Sequence, residues 1–539
     1  MHLLKQIFLC CALSLILSLL PSVYAVPATG LPLTLSAEES VALCSSRVRD
    51  RDLLINNWST TTNAAQVQLL QAIADGELYC KRSDQSLWLK NADGSFNALT
   101  SNATLTNGKG LRCVGSSNKQ RQLIATIVAA RALYSEEVSA RRAAAAALLQ
   151  AGATMPSTDT LQALMQHEDD GQVYQDLRTA WALTLAQNPS LGRQELLQAV
   201  EILKDKGTPQ CLHALEQLGQ SSDEILSDAA QQAAGWVQFY LRCATFGENL
   251  FFGLSLGSVL VLAAIGLAIT FGVMGVINMA HGELIMVGAY CVWCLQQLLP
   301  GQPGLALILA IPTAFVVSGT LGMLIERTVI RSLYGRPLET LLATFGVSLI
   351  LQQAVRTIFS PLNRAVQTPA FMQGQLQISE NLSVTLSRVI IILFCALTFT
   401  LILIIMNKTR LGLEVRALAQ NRPIARALGV RAGRIDALTF GLGSGVAGMA
   451  GVALSQITNV GPNLGQNYIV DTFMVVVFGG VGNLWGTLTG GLIMGLISKF
   501  LEPVTGAMLS KIVILIALIL FIQKRPRGLF PQRGRAAEA

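Results

Sequence analysis

Hydrophobic and polar positions divide the chain into two parts near residue 245. Beyond this point, residues 251–325 contain one charged side chain, Glu283, and residues 437–498 contain one, Asp471. Long uncharged apolar stretches are typical of membrane spans, because a bilayer makes charge expensive. The pattern predicts nine hydrophobic segments, at about 249–272, 278–299, 304–326, 338–359, 386–407, 434–457, 467–482, 484–502 and 508–523.

The segments at 467–482 and 484–502 are unusually rich in glycine. We interpret them either as one broken or re-entrant segment or as two full spans. Their glycines, predicted to allow close helix packing or a break, are Gly479, Gly480, Gly482, Gly486 and Gly490. The predicted fold class is all-α: a polytopic membrane helix bundle of eight or nine hydrophobic segments over 245–525, preceded by a helical exported domain.

The residues before the bundle indicate export. An apolar run at 7–20, followed by small residues up to Ala25, predicts a cleaved signal peptide over 1–25, with an uncleaved anchor as the alternative. Residues 26–244 would then face an oxidising compartment, where at least one disulfide is expected. The sequence leaves open how its cysteines pair; they are Cys44, Cys80, Cys113 and Cys211. Alanine-rich helices led by Arg141 and Arg178 indicate either HEAT-type helical pairs or an ordinary helical bundle.

Basic residues cluster in the connections between hydrophobic segments. The clusters at 327–336, 408–434 and 524–535 are predicted to be cytoplasmic, whereas 360–387 is poor in basic residues and should face outside. An exported domain and a basic cytoplasmic tail at 526–539 require an odd number of crossings, which nine segments satisfy. The net charge of +7 does not indicate nucleic acid as a partner, since the clusters follow the positive-inside rule.

Polar residues kept inside the spans carry the functional signal. We predict that Asn278, His281, Gly282, Glu283 and Asp471 belong to a translocation pathway, because buried polar groups in lipid must pair or face water. Three asparagines near the predicted outer mouth are weaker candidates: Asn459, Asn463 and Asn467. The sequence shows no metal-ligand cluster, no nucleophile–base pair and no G-x-x-x-x-G-K-[S/T] motif. We therefore expect no catalytic residue, metal or cofactor on this chain, and ATP bound by other subunits.

Three segments resemble a single transporter family. Residues 272–290, GVMGVINMAHGELIMVGAY, resemble the signature of the LivH/LivM-type permeases of ATP-binding-cassette importers, which carry branched-chain amino acids, urea or related amides. Residues 478–491 resemble the family's late glycine-rich segment. Residues 410–430 resemble its cytoplasmic coupling loop, a short amphipathic helix that docks on an ATPase; the alternative is a solvated basic loop. The coupling residues that this implies are Glu414, Arg416, Gln420, Asn421, Ala425 and Gly429.

Two coupling residues carry specific expectations. Ala425 should lie against the partner, and Gly429 should end the helix in a left-handed turn.

Asn-Met before Ala-His-Gly-Glu, together with the exported extension, is most similar to the urea-type (UrtB) branch of this family. The resemblance implies a permease subunit of the bacterial inner membrane that translocates urea, with a branched-chain amino acid or short amide as the alternative substrate. The implied partners are a second LivM-type permease subunit, two cytoplasmic ATPase subunits, a periplasmic substrate-binding protein and membrane lipid. A passive urea or amide channel and a membrane enzyme with a sensor domain are the competing classes.

Overall fold

The computed structural model describes residues 37–530, apart from 45–47, 59–63, 82–85, 92–94, 100–102, 106–109, 152–156, 189–191 and 380. The predicted signal peptide (1–25) and most of the predicted tail (526–539) lie outside the described residues. The chain divides into two compact units, Met1–Val237 and Gln238–Ala539. The exported location predicted for the first unit stays a prediction.

The first unit combines helices with a small sheet. Its helices are α1 (Ala37–Cys44), α2 (Val48–Asn57), α3 (Ala64–Asp75), α4 (Asn118–Ala132), α5 (Val138–Ala151), α6 (Thr158–Gln166), α7 (Gly171–Ala186), α8 (Arg193–Lys206) and α9 (Pro209–Leu218). Its strands are β1 (Leu78–Lys81), β2 (Leu87–Lys90), β3 (Phe96–Ala98), β4 (Thr104–Leu105) and β5 (Leu111–Cys113). They form an antiparallel sheet in the order β4-β3-β2-β1-β5.

The sequence prediction of a helical domain missed this sheet. Its strands have only two to four residues, whereas alternation becomes recognisable over four to eight residues. A disulfide between Cys44 and Cys80 joins α1 to β1, with 5.6 Å between the Cα atoms, so the expectation of a disulfide is confirmed. Further along, Asp170 caps α7 by accepting from the N–H groups of Gln172 and Val173. The Arg142 guanidinium beside it lowers the pKa of the Asp170 carboxyl to about 2.

The second unit is a helix bundle that begins within the long helix α10 (Glu224–Met274). It continues with α11 (His281–Leu298), α12 (Pro303–Thr328), α13 (Pro337–Phe359), α14 (Leu386–Lys408), α15 (Arg410–Gln420), α16 (Arg422–Ala427), α17 (Ala432–Ser455), α18 (Leu464–Gly479), α19 (Leu484–Thr505) and α20 (Ala507–Lys524). A hairpin of β6 (Gln375–Ser379) and β7 (Leu382–Thr385) lies in the connection before α14. The mostly helical membrane fold is confirmed.

Seven of the helices described are long and apolar enough to cross a membrane: α10, α12, α13, α14, α17, α19 and α20. The other two predicted segments correspond to α11 and α18. Helix α11 has 18 residues and contains His281 and Glu283, and α18 has 16 residues, or about 24 Å at 1.5 Å per residue. Because the hydrocarbon core is about 30 Å thick, nine full crossings stay a prediction.

Glycine brings the central helices into backbone contact. A Cβ atom built on Gly288 of α11 would lie 2.1 Å from the Gly448 carbonyl oxygen of α17, and one on Gly451 would lie 1.9 Å from the Ile285 oxygen. These distances leave no room for a side chain. Helix α17 is accordingly the most enclosed of the seven: 83% of its most apolar 18-residue stretch is buried inside the protein. Small residues therefore set the helix spacing, as is usual in lipid.

The glycine-rich pair forms two helices joined by a tight turn. Helix α18 ends at Gly479 and α19 begins at Leu484, after the side chain of Asn483 accepts from the N–H groups of Trp485 and Gly486. Gly480 and Gly482 have φ values of 106° and 78°, which only glycine adopts readily. The backbones then cross at Gly479 and Gly486, where an added Cβ would lie 2.2 Å from a carbonyl oxygen. The break predicted for 467–502 is this turn.

Candidate functional site

Two short non-helical breaks interrupt the bundle beside polar side chains. The first, at 275–280, lies between α10 and α11, and the second, at 456–463, lies between α17 and α18. The two following helices meet at their N-terminal ends, since a Cβ on Gly282 would lie 2.6 Å from the Gly465 oxygen. Asn278 lies in the first break, and its Oδ1 accepts from the Ala280 N–H at 3.0 Å. The predicted signature thus builds a break in the helix followed by a buried helix start.

His281 and Glu283 are buried but point to different neighbours. His281 Nε2 lies 2.9 Å from the Ala263 carbonyl oxygen of α10. Glu283 Oε1 accepts from the Ser348 hydroxyl of α13 at 3.0 Å. Within the part of the chain that the structure describes, Asn278 Nδ2, His281 Nδ1 and Glu283 Oε2 have no hydrogen-bond partner. His281 and Glu283 therefore link α11 to α10 and to α13 at two separate points.

We expect Glu283→Gln to impair transport far more than folding. Glutamine keeps the volume and the acceptor for Ser348, so the free energy of unfolding should fall by about 1 kcal/mol or less. Glu283→Ala removes that acceptor and leaves a void, which should cost about 2–4 kcal/mol. Thermal unfolding in detergent and uptake by the assembled transporter separate the two effects. Normal uptake by the glutamine variant would reduce Glu283 to a packing role.

A well-defined cavity of the second unit lies elsewhere. It has a volume of about 580 Å³ and is lined by α10, α14, α17, α18, α19 and α20. Asp471 lines it, as do the three weaker candidates Asn459, Asn463 and Asn467. Asn278, His281, Gly282 and Glu283 do not line it. Of the five residues predicted to belong to the translocation pathway, only Asp471 therefore lines this cavity.

Both charged and apolar side chains line this cavity. Asp471 pairs with Lys511 at 2.9 Å, and Lys499 pairs with Glu502 at 2.5 Å. Arg388 lies over the Phe252 ring, 4.5 Å from its centre, and makes no ion pair with any residue that the structure describes. The apolar wall consists of Leu256, Val259, Leu260, Met474, Met494 and Ile514. The cavity thus offers one spare positive charge, two ion pairs and an aliphatic surface.

Sequence reasoning missed Arg388 and Lys511. Each lies inside a predicted hydrophobic segment, 386–407 or 508–523. The rule that singled out Glu283 and Asp471, a lone charge within a span, would have found Lys511 as well. Arg388 lies so near the start of its segment that it resembles an ordinary interfacial residue.

The predicted coupling segment folds as two short helices, α15 and α16, rather than one. Asn421 ends the first and caps the second, its Oδ1 accepting from the Ile424 N–H at 3.1 Å. Pro423 follows in the first turn of α16, where its missing N–H costs nothing. Gly429 has a φ of 89° directly after α16, which confirms the left-handed turn. Asparagine and proline together explain the interruption.

Ala425 does not lie on the outer surface of this element. It is 2% exposed and packs with Val415, Leu418 and Ile435 of the same chain, so its predicted placement against a partner was wrong. A small residue is needed there because α16 packs closely on α15 and α17. Of the other predicted coupling residues, Arg416, Gln420, Asn421 and Gly429 are exposed and Glu414 is half-buried. The outward apolar side chains are Leu413, Ile424 and Leu428.

Arg422 connects α16 to α17 and to the turn before α13, and through that turn to α12. It forms an ion pair with the buried Asp436 of α17, and its guanidinium lies 4.6 Å from the centre of the Tyr334 ring. The Tyr334 hydroxyl donates to Glu326 Oε1 of α12 at 3.0 Å. A displacement of α16 would therefore reach α12, α17 and the turn before α13.

Comparison with known proteins agrees with this architecture. Residues 249–522 match the family described as "Branched-chain amino acid transport system / permease component". The chain is 31% identical to the high-affinity branched-chain amino acid transport system permease protein BraD of Pseudomonas aeruginosa, over 52% of this chain and 94% of that protein. It is also 31% identical to the permease protein LivH of the same kind of system in Escherichia coli, over 53% of this chain and 95% of that protein.

A more distant relative is named for a different substrate. The ribose import permease protein RbsC of Escherichia coli is 27% identical, over 47% of this chain and 78% of that protein. No solved structure matches the chain significantly. The family match leaves residues 1–248 outside it. The family resemblance is confirmed, and the chain belongs to the family of branched-chain amino acid transport system permease components, as a membrane permease subunit and not an enzyme.

Proposed function

We propose that this chain is one of the transmembrane subunits of an ATP-binding-cassette importer in the bacterial inner membrane, and that it carries branched-chain amino acids. The observation that supports this substrate class is the cavity lined by Arg388, Asp471 and Lys511 beside an aliphatic wall. A free amino acid presents a carboxylate, an ammonium group and a side chain. Branched-chain amino acids are the class whose side chains are aliphatic, so they match all three features.

The charges have the correct sign for each end of such a zwitterion. Arg388 is the spare cation, and its planar fork suits a carboxylate. Asp471 is paired with Lys511, and its carboxylate can accept from the substrate ammonium as the lysine withdraws. Lys511 is the more exposed partner, with 54% of its side chain accessible, so this exchange costs little burial. The aliphatic wall then selects leucine, isoleucine and valine over polar amino acids.

The two-helix element α15–α16 supplies the docking surface for an ATPase. Leu413, Ile424 and Leu428 are exposed by 62%, 57% and 80%, and exposed arginines surround them. We define these three residues as the docking surface. An amphipathic helical element with an apolar outer face fits a hydrophobic groove on a partner. The ion pair of Arg422 with Asp436 would pass movement of that partner into the bundle.

Four asparagines support urea as a second candidate substrate. Asn363, Asn459, Asn463 and Asn467 line the same cavity, and amides offer the donors and acceptors that a small neutral amide requires. The urea prediction thus rests on the resemblance to the urea-type branch, with these amide groups in support, whereas the amino acid proposal rests on the charges. In either case the implied partners are a second permease subunit, ATPase subunits and a periplasmic binding protein.

Uptake by the complete transporter tests the proposal. The chain is expressed with its permease partner, ATPase subunits and binding protein in cells that lack their own uptake of leucine and urea. We expect ATP-dependent accumulation of labelled leucine that unlabelled isoleucine and valine inhibit. Accumulation of labelled urea without leucine would identify the urea-type branch. Equilibration of urea without ATP would instead indicate a passive channel.

A further inference from the structure

Helix α13 carries a row of polar side chains along its buried face. Thr340, Thr344, Ser348 and Gln352 are buried, and Arg356 continues the row at the same four-residue spacing. Residues four apart are neighbours on a helix, and because each step advances about 40° around the axis, the row winds along α13 as a continuous polar strip. The exposed large side chains of α13 are mostly apolar: Leu338, Leu342, Phe345, Leu349, Ile350 and Ile358, with Glu339 and Gln353 as the polar exceptions. The helix therefore turns its polar face inward and its apolar face outward, and the row extends about 24 Å, close to the hydrocarbon thickness.

The polar row contacts both breaks in the bundle. Thr344 Oγ1 accepts from the Met279 N–H at 3.1 Å in the first break, and Ser348 donates to Glu283 at 3.0 Å just beyond it. At the second break, Gln352 Nε2 lies 3.2 Å from Asn463 Oδ1. These partners are non-helical backbone, a side chain at a helix start and a loop amide. All of them can exchange hydrogen bonds with a polar solute or with water.

The row also connects the cavity with the docking element. Asn463 lines the cavity and accepts from Arg356 Nη2 at 2.8 Å. At the other end, the Thr340 hydroxyl bonds to the Leu333 carbonyl oxygen at 3.1 Å. Leu333 precedes Tyr334, whose ring stacks on Arg422 of α16. The polar row of one helix thus joins the substrate cavity to the element proposed to bind the ATPase.

We propose that the polar row of α13 lines the route by which the substrate leaves the cavity. The route runs between α13 and the two breaks, at 456–463 and then at 275–280. It is closed here by the hydrogen bonds across it and opens when α13 moves away from the breaks. Helix α13 belongs to the peripheral helices, which have 17–33% of their most apolar 18-residue stretch buried inside the protein, against 83% for α17, so few internal contacts oppose its movement. The inference rests on the proposed transport function but not on which substrate is carried.

Water access to single cysteines tests this route in the complete transporter. Thr344→Cys and Ser348→Cys place a thiol in the row, and Leu342→Cys and Ile350→Cys place one on the outer face of the same helix. Every cysteine outside the Cys44–Cys80 disulfide is first replaced by alanine. A charged, water-soluble thiol reagent reacts with ionised thiols, which form only where water reaches them. We expect both row cysteines to react at least tenfold faster during ATP-driven leucine uptake than without ATP, while the outer cysteines stay unreactive.

Row cysteines that stay as unreactive as the outer ones, in a transporter that takes up leucine, would overturn the inference. Failure of the substrate proposal is seen separately: ATP-dependent labelling of the row without leucine uptake rejects leucine and keeps the route. A second series guards against misfolded cysteine variants. Thr344→Ser keeps the hydroxyl and should retain uptake, whereas Thr344→Val, of the same shape, should lower kcat at least threefold with KM unchanged. Equal kcat for the two variants would also contradict the route.

Discussion

Replacing Arg388 with glutamine is expected to lower the kcat/KM of leucine uptake about 10- to 150-fold. Arg388 lines the cavity and makes no ion pair in the described ranges, so its charge is available for the substrate carboxylate. Removing a hydrogen bond to a charged group costs about 1.5–3 kcal/mol, and each 1.4 kcal/mol corresponds to about tenfold. Initial rates of labelled leucine uptake against leucine concentration provide the measurement.

Lys499→Gln provides the matched control for Arg388. Lys499 lines the same cavity but already pairs with Glu502, one turn further along α19. Such same-helix pairs contribute about 0.3–0.5 kcal/mol, so uptake should change less than about threefold. Asp471→Asn is expected to resemble Arg388→Gln, because it removes the acceptor for the ammonium group and leaves Lys511 without its partner. Equal effects of Arg388→Gln and Lys499→Gln would argue against a specific carboxylate site.

Long-range charge patterning is what made the membrane half readable from sequence. Each of the nine predicted segments contains a helix of the second unit, because exclusion of charge over some twenty residues is a strong signal. The glycine predictions were equally direct: Gly479 and Gly486 lie at a backbone crossing, and Gly480 and Gly482 form a turn. The five-stranded sheet carried no comparable signal, since its short strands depend on pairing between segments distant in sequence.

The site was harder to predict, because polarity within a span does not say what a side chain faces. Asn278, His281 and Glu283 stood out by composition, but each bonds to a different neighbour, and none of them lines the cavity. The polar row of α13 consists of threonine, serine and glutamine at four-residue spacing. Uncharged polar residues are common in membrane spans, so this spacing is a much weaker signal than a lone charge. Which face of a helix turns inward depends on its packing, and that is a property of the assembled bundle.

The coupling segment was also predicted correctly in some features and wrongly in others. Its amphipathic pattern and Gly429 predicted a short helical element ending in a left-handed turn, which is present. The orientation of the element was wrong at Ala425, because alanine is compatible with both a partner groove and a tight internal contact. The surrounding residues decide between the two, and Val415, Leu418 and Ile435 enclose it from the same chain.

Leu428→Asp is therefore expected to uncouple the transporter where Ala425→Trp would damage its fold. Leu428 is 80% exposed on the docking surface, so aspartate there should leave the permease intact. A hot-spot contact at the centre of an interface is worth about 2 kcal/mol or more, which corresponds to about 30-fold in ATPase binding. Co-purification of the ATPase subunits and leucine-dependent ATP hydrolysis should fall together. Ala425→Trp forces a large ring into a packed site and should lower thermal stability by about 1–3 kcal/mol or more.

Leu298→Asp is the matched control, because Leu298 is an equally exposed leucine, at 74%, at the end of α11. It lies away from α15–α16, near the connection that Gln296 contacts through Gln367. ATPase recovery should remain at the wild-type level in this variant. Normal recovery and normal uptake with Leu428→Asp would show that the three exposed side chains are not the docking surface. Loss of ATPase binding in both leucine variants would instead point to a general effect of a surface charge.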